Sequence, residues 1–267
     1  MPDTRSTRYT IAFAAAVCVV CAALVAASAV GLRERQETNQ LLYRQKNVLI
    51  AAGLVKPGDD TLSDLDLLAI FDRDIRMRLV DLRTGELVPE SRADARTYDM
   101  RKARADPAAS HAVPPNPAQV ARVANLGTVY FVVDPAEPRN IRQIVIPIEG
   151  VGMWGTLYGF LAIERDTTTI GGLTYYDQKE TPGLGGEAGS PRWQALWRGR
   201  KAYDENWEPR IVVIKGPAGP PALDPHRVDG LSGATITSNG ITRMMQFWLG
   251  ADGYGPFLKR FREGGLG

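Results

Sequence analysis

The chain has 267 residues, 44% of them hydrophobic and 23% charged, and a formal net charge of +2. That length and balance fit one sizeable folded domain plus an anchor, and with no Lys/Arg run interleaved with aromatics they exclude a basic nucleic-acid binder. Its two cysteines, Cys18 and Cys21, supply at most half of a four-thiolate zinc or iron–sulfur site, so they are read as packing groups.

A short tail, residues 1–8, precedes an uncharged run from Tyr9 to Leu32. As a helix this run is about 36 Å long, enough to cross a hydrocarbon core of about 30 Å. Ala27-Ser28-Ala29 has the small-residue spacing of a signal-peptide cleavage site, but the run exceeds the apolar core of such peptides, which favours an uncleaved anchor. Arg33, Arg35, Arg44 and Lys46 beyond the run outnumber Arg5 and Arg8 before it. Charge counting therefore does not fix the orientation.

Leu41, Leu42, Val48, Leu49 and Ala52 keep a helical spacing, which predicts a stalk helix over 33–56 and a domain over 57–267. Ser63 and Asp66 have the spacing of a capping box for a short helix through Phe71. Ile75, Met77 and Leu79 alternate with Arg76, Arg78 and Val80 as a strand, turned back at Arg83-Thr84-Gly85-Glu86. The stretch 91–127, rich in Ala, Arg, Asp and Pro, reads as an exposed excursion.

Thr128–Val133, Ile141–Ile148 and Thr156–Ile163 read as strands of one antiparallel sheet, with Ile211–Ile214 as another strand. Pro191–Tyr203 reads as a helix capped by Ser190. The expected class is α+β: a transmembrane helix, then an antiparallel sheet flanked by helices. No G-x-G-x-x-G follows a strand, so a dinucleotide-binding fold is not expected.

The chemistry-bearing residues are few. His111 and His226 have neither metal-ligand spacing nor an adjacent nucleophile, and Glu164-Arg165-Asp166 is interspersed charge of the solvated kind. No catalytic residue and no metal ligand is assigned. Near the C-terminus, Gly230 and Gly233 allow a tight turn just before a run in which Ile241, Met244, Met245, Trp248 and Leu249 share one helical face, closed by Gly250. The helix start falls within a turn of Thr235, with Thr237, Ser238 and Asn239 as caps. Backbone N–H groups there would stabilise a phosphate. A capped turn with no ligand has the same local pattern.

Asp229-x-x-Ser232-Gly233-Ala234-Thr235 resembles the D-x-x-[ST]-G-A-[TS] signature at which a bacterial flavin transferase esterifies FMN to the last hydroxyl. Gly152-Met153-Trp154-Gly155 with Tyr158-Gly159-Phe160, Glu180-Thr181-Pro182-Gly183-Leu184-Gly185-Gly186, and Ser190-Pro191-x-Trp193 with Trp197 and Lys201 follow the FMN-binding domain family in order. The tail from Phe247-Trp248-Leu249-Gly250 to Gly253-Tyr254-Gly255-Pro256-Phe257-Leu258 is similar to that of the C-subunit branch found in sodium-translocating NADH:quinone reductases.

This resemblance implies one FMN joined through its phosphate to Thr235, with Ser232, Gly233 and Ala234 shaping the turn and Asp229 belonging to the transferase's recognition signature. It also implies that Glu180, Thr181, Leu184 and Gly185 lie against the flavin, with Trp154 favoured over Tyr158 as a further contact. The implied setting is a bacterial inner membrane, single-pass, with the domain on the periplasmic side. The implied partners are subunits A, B, D, E and F, and the implied role is electron relay from a membrane iron–sulfur centre toward the flavin of the B subunit. The anchor has no Asp, Glu, Lys, Arg or His in its span, so this chain is not expected to conduct sodium itself. The G subunit of Rnf-type ferredoxin-linked complexes shares the signature and anchor. An anchored structural or ligand-binding domain without flavin is the reading of a different class.

Overall fold

The computed structural model describes residues 6–264. Arg5, counted above in the charge balance, lies outside the described residues. The chain divides into two compact units, Met1–Arg44 and Gln45–Gly267.

The first unit holds most of one helix, α1 (Thr7–Ala51), whose last residues, 45–51, belong to the second unit; in the first it carries exposed apolar side chains such as Ile11, Phe13, Val20, Leu24 and Val30. It is the one described helix long and apolar enough to cross a membrane. An apolar surface of that length is stable against lipid rather than water.

The second unit is built on a five-stranded antiparallel sheet. Its strands are β1 (Ile75–Asp81), β4 (Leu126–Val133), β5 (Ile141–Val151), β6 (Thr156–Glu164) and β7 (Ile170–Asp177), which lie side by side in that order. Both faces are covered. On one face the last turns of α1 (Val48, Leu49, Ala51) and α2 (Asp64–Asp74, through Leu67 and Phe71) pack on Tyr130, Val132, Val145 and Phe160. On the other, α5 (Thr235–Leu249) and α6 (Gly255–Arg262) pack on Val129, Phe131, Ile144, Ile146 and Leu161. Double burial explains why β4 reads as a continuous apolar run rather than an alternating one.

One local expectation holds at the level of single bonds. The Ser63 hydroxyl accepts from the Asp66 N–H while Asp66 accepts from the Ser63 N–H at 2.9 Å, a complete capping box for α2.

Others are corrected. The stalk helix ends at Ala51 instead of 56, because Gly53 adopts φ +72° and the N–H groups of Leu54 and Gly53 turn back to the carbonyls of Leu49 and Ile50. The segment 91–127 is not simply an exposed excursion. It holds α3 (Met100–Ala105) and the paired strands β2 (Ser110–Ala112) and β3 (Arg122–Ala124), and it buries Ala103, Ala118, Val123 and Ala124. Arg101 of α3 stacks 3.5 Å above the Tyr158 ring and donates to the Tyr176 hydroxyl at 3.0 Å.

Pro191–Tyr203 is not one helix either. α4 (Pro191–Gln194) runs into a single 3-10 turn, Ala195–Trp197, and Gly199 at φ +78° ends it. The strand expected over Ile211–Ile214 shrinks to β8 (Val212–Val213), which pairs in parallel with β9 (Arg227–Val228) outside the main sheet.

Asp166, assigned no role by its sequence context, organises the β6–β7 turn. It accepts from the N–H groups of Thr168 and Thr169 at 2.9 and 2.7 Å, from the Thr169 hydroxyl, and from Lys201 at 3.2 Å. Burial opposes its charge, but these hydrogen bonds outweigh it and hold its pKa at about 2. A depressed carboxyl pKa stabilises the fold above the unfolded value of 3.8, and this contribution is lost as pH falls from there to about 2. Because the side chain is half exposed, Asp166→Asn is expected to cost only about 1 kcal/mol at neutral pH. The gap in melting temperature from the parent should close as the pH is lowered through that window. A gap that stays constant with pH would show that the hydrogen bonds stabilise equally in both protonation states.

Candidate functional site

The signature turn leads directly into α5. The helix begins at Thr235 itself, with Ala234 at the cap position and no side-chain cap bond. Thr237, Ser238 and Asn239 therefore lie inside the first turns rather than capping it. Ser238 instead reaches back to accept from the Leu231 N–H at 3.2 Å, tightening the turn from within. Thr235, Ser232 and Gly233 are exposed, and Ala234 is buried. Gly233 sits at φ +69°, where a Cβ would also meet Leu184 at 2.9 Å. The turn thus favours glycine there for its backbone conformation, and the Leu184 side chain packs against it.

Glu180 joins the remaining pieces. Its side chain is 6% exposed, and one carboxyl oxygen accepts from the Trp154 N–H at 2.8 Å while the other accepts from the Thr237 hydroxyl. A Cβ on Gly185 would fall 2.6 Å from Glu180 Oε2 and 2.7 Å from Thr237 Oγ1, and one on Gly152 would fall 2.6 Å from Glu180 Oε1. Bare backbone on both sides is what lets a carboxyl group sit between the β5–β6 turn and α5. Gly240 allows the same closeness one helical turn on, since its Cβ would lie 2.3 Å from the Val151 carbonyl oxygen.

The folded chain gathers most of the residues singled out in the sequence. Leu184 and Gly185 meet the signature turn and Thr237, Glu180 braces them from inside, and Trp154 is carried in by its backbone bond to Glu180. The Trp154 indole is 63% exposed, and with Met153, Leu184 and Ile236 it adds exposed apolar surface among these elements. Thr181 is exposed, and its carbonyl accepts from the N–H groups of Leu184 and Gly186. Tyr158 differs from Trp154, as its ring lies beneath Arg101.

Asp229 is a loop brace as it stands. Its Oδ1 accepts from the Ala218 N–H at 2.9 Å, and its carbonyl accepts from the Trp193 indole at 2.9 Å. His226 and His111 are tied to the Lys201 carbonyl and the Asn125 side chain.

A cleft of about 320 Å³ opens beside Thr235, lined by Lys215, Gly216, Gly230, Ser232, Gly233 and Asn239 among others. Lys215, Gly216 and Asn239 were not singled out in the sequence as a group around Thr235, nor was Thr237 as the partner of Glu180. Only the 57-residue separation closed by the fold brings Glu180 to Thr237, and no local spacing signals it.

The chemistry of this site fits FMN. An exposed hydroxyl at an uncapped helix start suits a phosphate, and the exposed faces of Trp154, Leu184 and Ile236 suit an apolar ring.

A family model described as an FMN-binding domain matches residues 152–250, which contain every element of this site from the β5–β6 turn to α5. Over 266 residues the chain is 42% identical to the C subunit of the Na(+)-translocating NADH-quinone reductase of Vibrio anguillarum, covering 99% of this chain and 98% of that protein. The chain belongs to this C-subunit family. Membership extends through the anchor and the 91–127 segment, beyond the reach of the FMN-binding match. The Pseudomonas aeruginosa member is 40% identical over 267 residues, covering 99% of both chains. The crystal structure of Shewanella oneidensis NqrC superposes with a TM-score of 0.74 at 30% identity, covering 82% of this chain and 96% of that one. Of the two complexes that the signature left open, the family is that of the NADH-quinone reductases, and the chain is a subunit of an oxidoreductase.

Proposed function

We propose that this chain carries one FMN esterified through its phosphate to Thr235, and that it relays electrons between a membrane iron–sulfur centre and the flavin of the B subunit. In the complete complex, with subunits A, B, D, E and F, this transfer is coupled to sodium export. The domain stands on the periplasmic side of the inner membrane, and a separate flavin transferase attaches the cofactor.

The observation that carries this reading is the exposed Thr235 at the first residue of an uncapped helix, inside the full transferase signature. Bound FMN supplies reversible electron transfer, and the protein has to hold and orient it. The α5 N-terminus and the 230–233 turn hold the phosphate end. Leu184 and Trp154 give the ring apolar surface, while Glu180 fixes the spacing between them from within rather than touching the flavin through an exposed carboxyl. Asp229 shapes the loop that the transferase reads. The anchor keeps the domain at the membrane, and the coupling ion passes through other subunits, since no Asp, Glu, Lys, Arg or His lies in the apolar span.

The test is to produce the chain together with a flavin transferase, denature it and examine the gel under ultraviolet light. A fluorescent band supports the covalent flavin. A dark band, from a transferase that labels another substrate in the same cells, overturns the reading and leaves an anchored domain without flavin.

A further inference from the structure

Lys215, an exposed residue, lines the same cleft as Thr235 and is the one charged residue among those that line it. Among the described residues it forms no ion pair with a carboxylate, and Asp229, just before the signature turn, accepts from the Ala218 N–H. The backbone around Lys215 is fixed on both sides. The Ile214 N–H donates to the Val228 carbonyl at 2.9 Å, and the Gly230 N–H donates to the Gly216 carbonyl at 2.9 Å. Gly230 itself has no room for a side chain, because a Cβ would fall 2.2 Å from the Ile214 carbonyl oxygen. The β8 strand that leads into this loop is also bound to α5, through the Val213 N–H and the Thr242 hydroxyl at 2.9 Å. The backbone that carries Lys215 is thus pinned to the same turn and helix that present Thr235, which keeps the root of its side chain at the cleft.

We infer that Lys215 is the counter-ion of the flavin phosphate, a cofactor-positioning residue in the same cleft as the attachment point. The inference rests on the phosphoester reading above. A phosphate joined to both the flavin chain and Thr235 keeps one negative charge, and α5 has no acidic residue in its first turn to compete for the ammonium group. Asp229 gains a second role in this arrangement: by holding the Ala218 N–H it fixes the loop that carries Lys215.

The test compares flavinylated and unflavinylated forms of the parent, Lys215→Met and Lys215→Arg, each form melted at low and at high salt. Measuring the rise in melting temperature on flavinylation within each variant cancels any effect of the substitution on folding itself. In low salt, Lys215→Met should lower that rise by about 1–3 °C, as expected for a partly exposed ion pair in a domain of this size. Lys215→Arg should restore it, and high salt should erase the difference. An equal rise in Lys215→Met and the parent overturns the inference. If Lys215→Met takes up no flavin, rescue by Lys215→Arg supports a charge role and failure of that rescue overturns it. A parent that stays dark fails at the earlier step, the flavin reading, and this inference falls with it.

Discussion

Thr235→Ala is expected to give a folded protein that takes up no covalent flavin, while Thr235→Ser still labels. Alanine removes the oxygen that would bear the phosphate, whereas serine keeps it and matches the signature. The fold should not register the change. Thr235 is exposed at the first position of α5, and alanine is the better helix former by about 0.5 kcal/mol. Circular dichroism and melting temperature should therefore stay close to those of the parent, which separates a missing attachment point from a missing fold. Three other hydroxyls are near, of which Ser238 is buried and turned back to the Leu231 N–H. Thr237 is buried and donates to Glu180, so it is not available, but Ser232 is exposed in the same turn. A fluorescent Thr235→Ala band that disappears in the Ser232→Ala double variant would move the attachment site to Ser232.

Trp248→Ala should cause the largest loss of stability. The indole is 1% exposed, sits between Phe247 and Tyr254 with ring centroids 5.4 and 5.8 Å away, and donates to the Glu149 carbonyl at 2.6 Å. Truncation removes a large buried ring, leaves a cavity between α5 and the end of β5, and leaves that carbonyl without its donor. A cost of about 4 kcal/mol follows, or roughly 8–16 °C in melting temperature for a domain of this length. Trp248→Phe keeps most of the ring and loses the hydrogen bond, so it should cost about 1–2 kcal/mol. A loss below about 1 kcal/mol for the alanine variant in thermal or urea unfolding would mean that α5 is held by its other contacts alone. Because Gly240 and Trp248 both rest against the β5 end, weakening this packing should also lower flavin uptake at temperatures near the new melting point.

Much of this was legible because the signals are local. The Ser63–Asp66 box, the apolar face of α5 and the turn before Thr235 depend on residues within one or two helical turns, and the structure reproduces each of them. The strand β7 carries no such signal. Gly171-Gly172 interrupts its apolar run, and the reason emerges only in the fold: a Cβ on Gly172 would fall 2.2 Å from the Ala51 carbonyl oxygen, where the end of α1 crosses the sheet. Ser190 and Pro191 correctly mark a helix start, yet Gly199 and the bridge between Lys201 and Thr169 take the chain away from helix soon afterwards.

Composition, periodicity and motif order suffice to specify an anchored α+β protein with a phosphate-suited turn at Thr235. They do so because hydrophobic burial, helix capping and glycine conformations act over short stretches of chain. It takes the folded chain to make Glu180 an interior brace between Trp154 and Thr237, to make Asp166 the organiser of a turn, and to bring Lys215 and Thr235 to one cleft. Those roles depend on which segments the sheet and α5 bring within hydrogen-bonding or Coulombic reach, and a carboxyl or ammonium group looks the same in sequence whether it ends in water or in contact with a residue far along the chain.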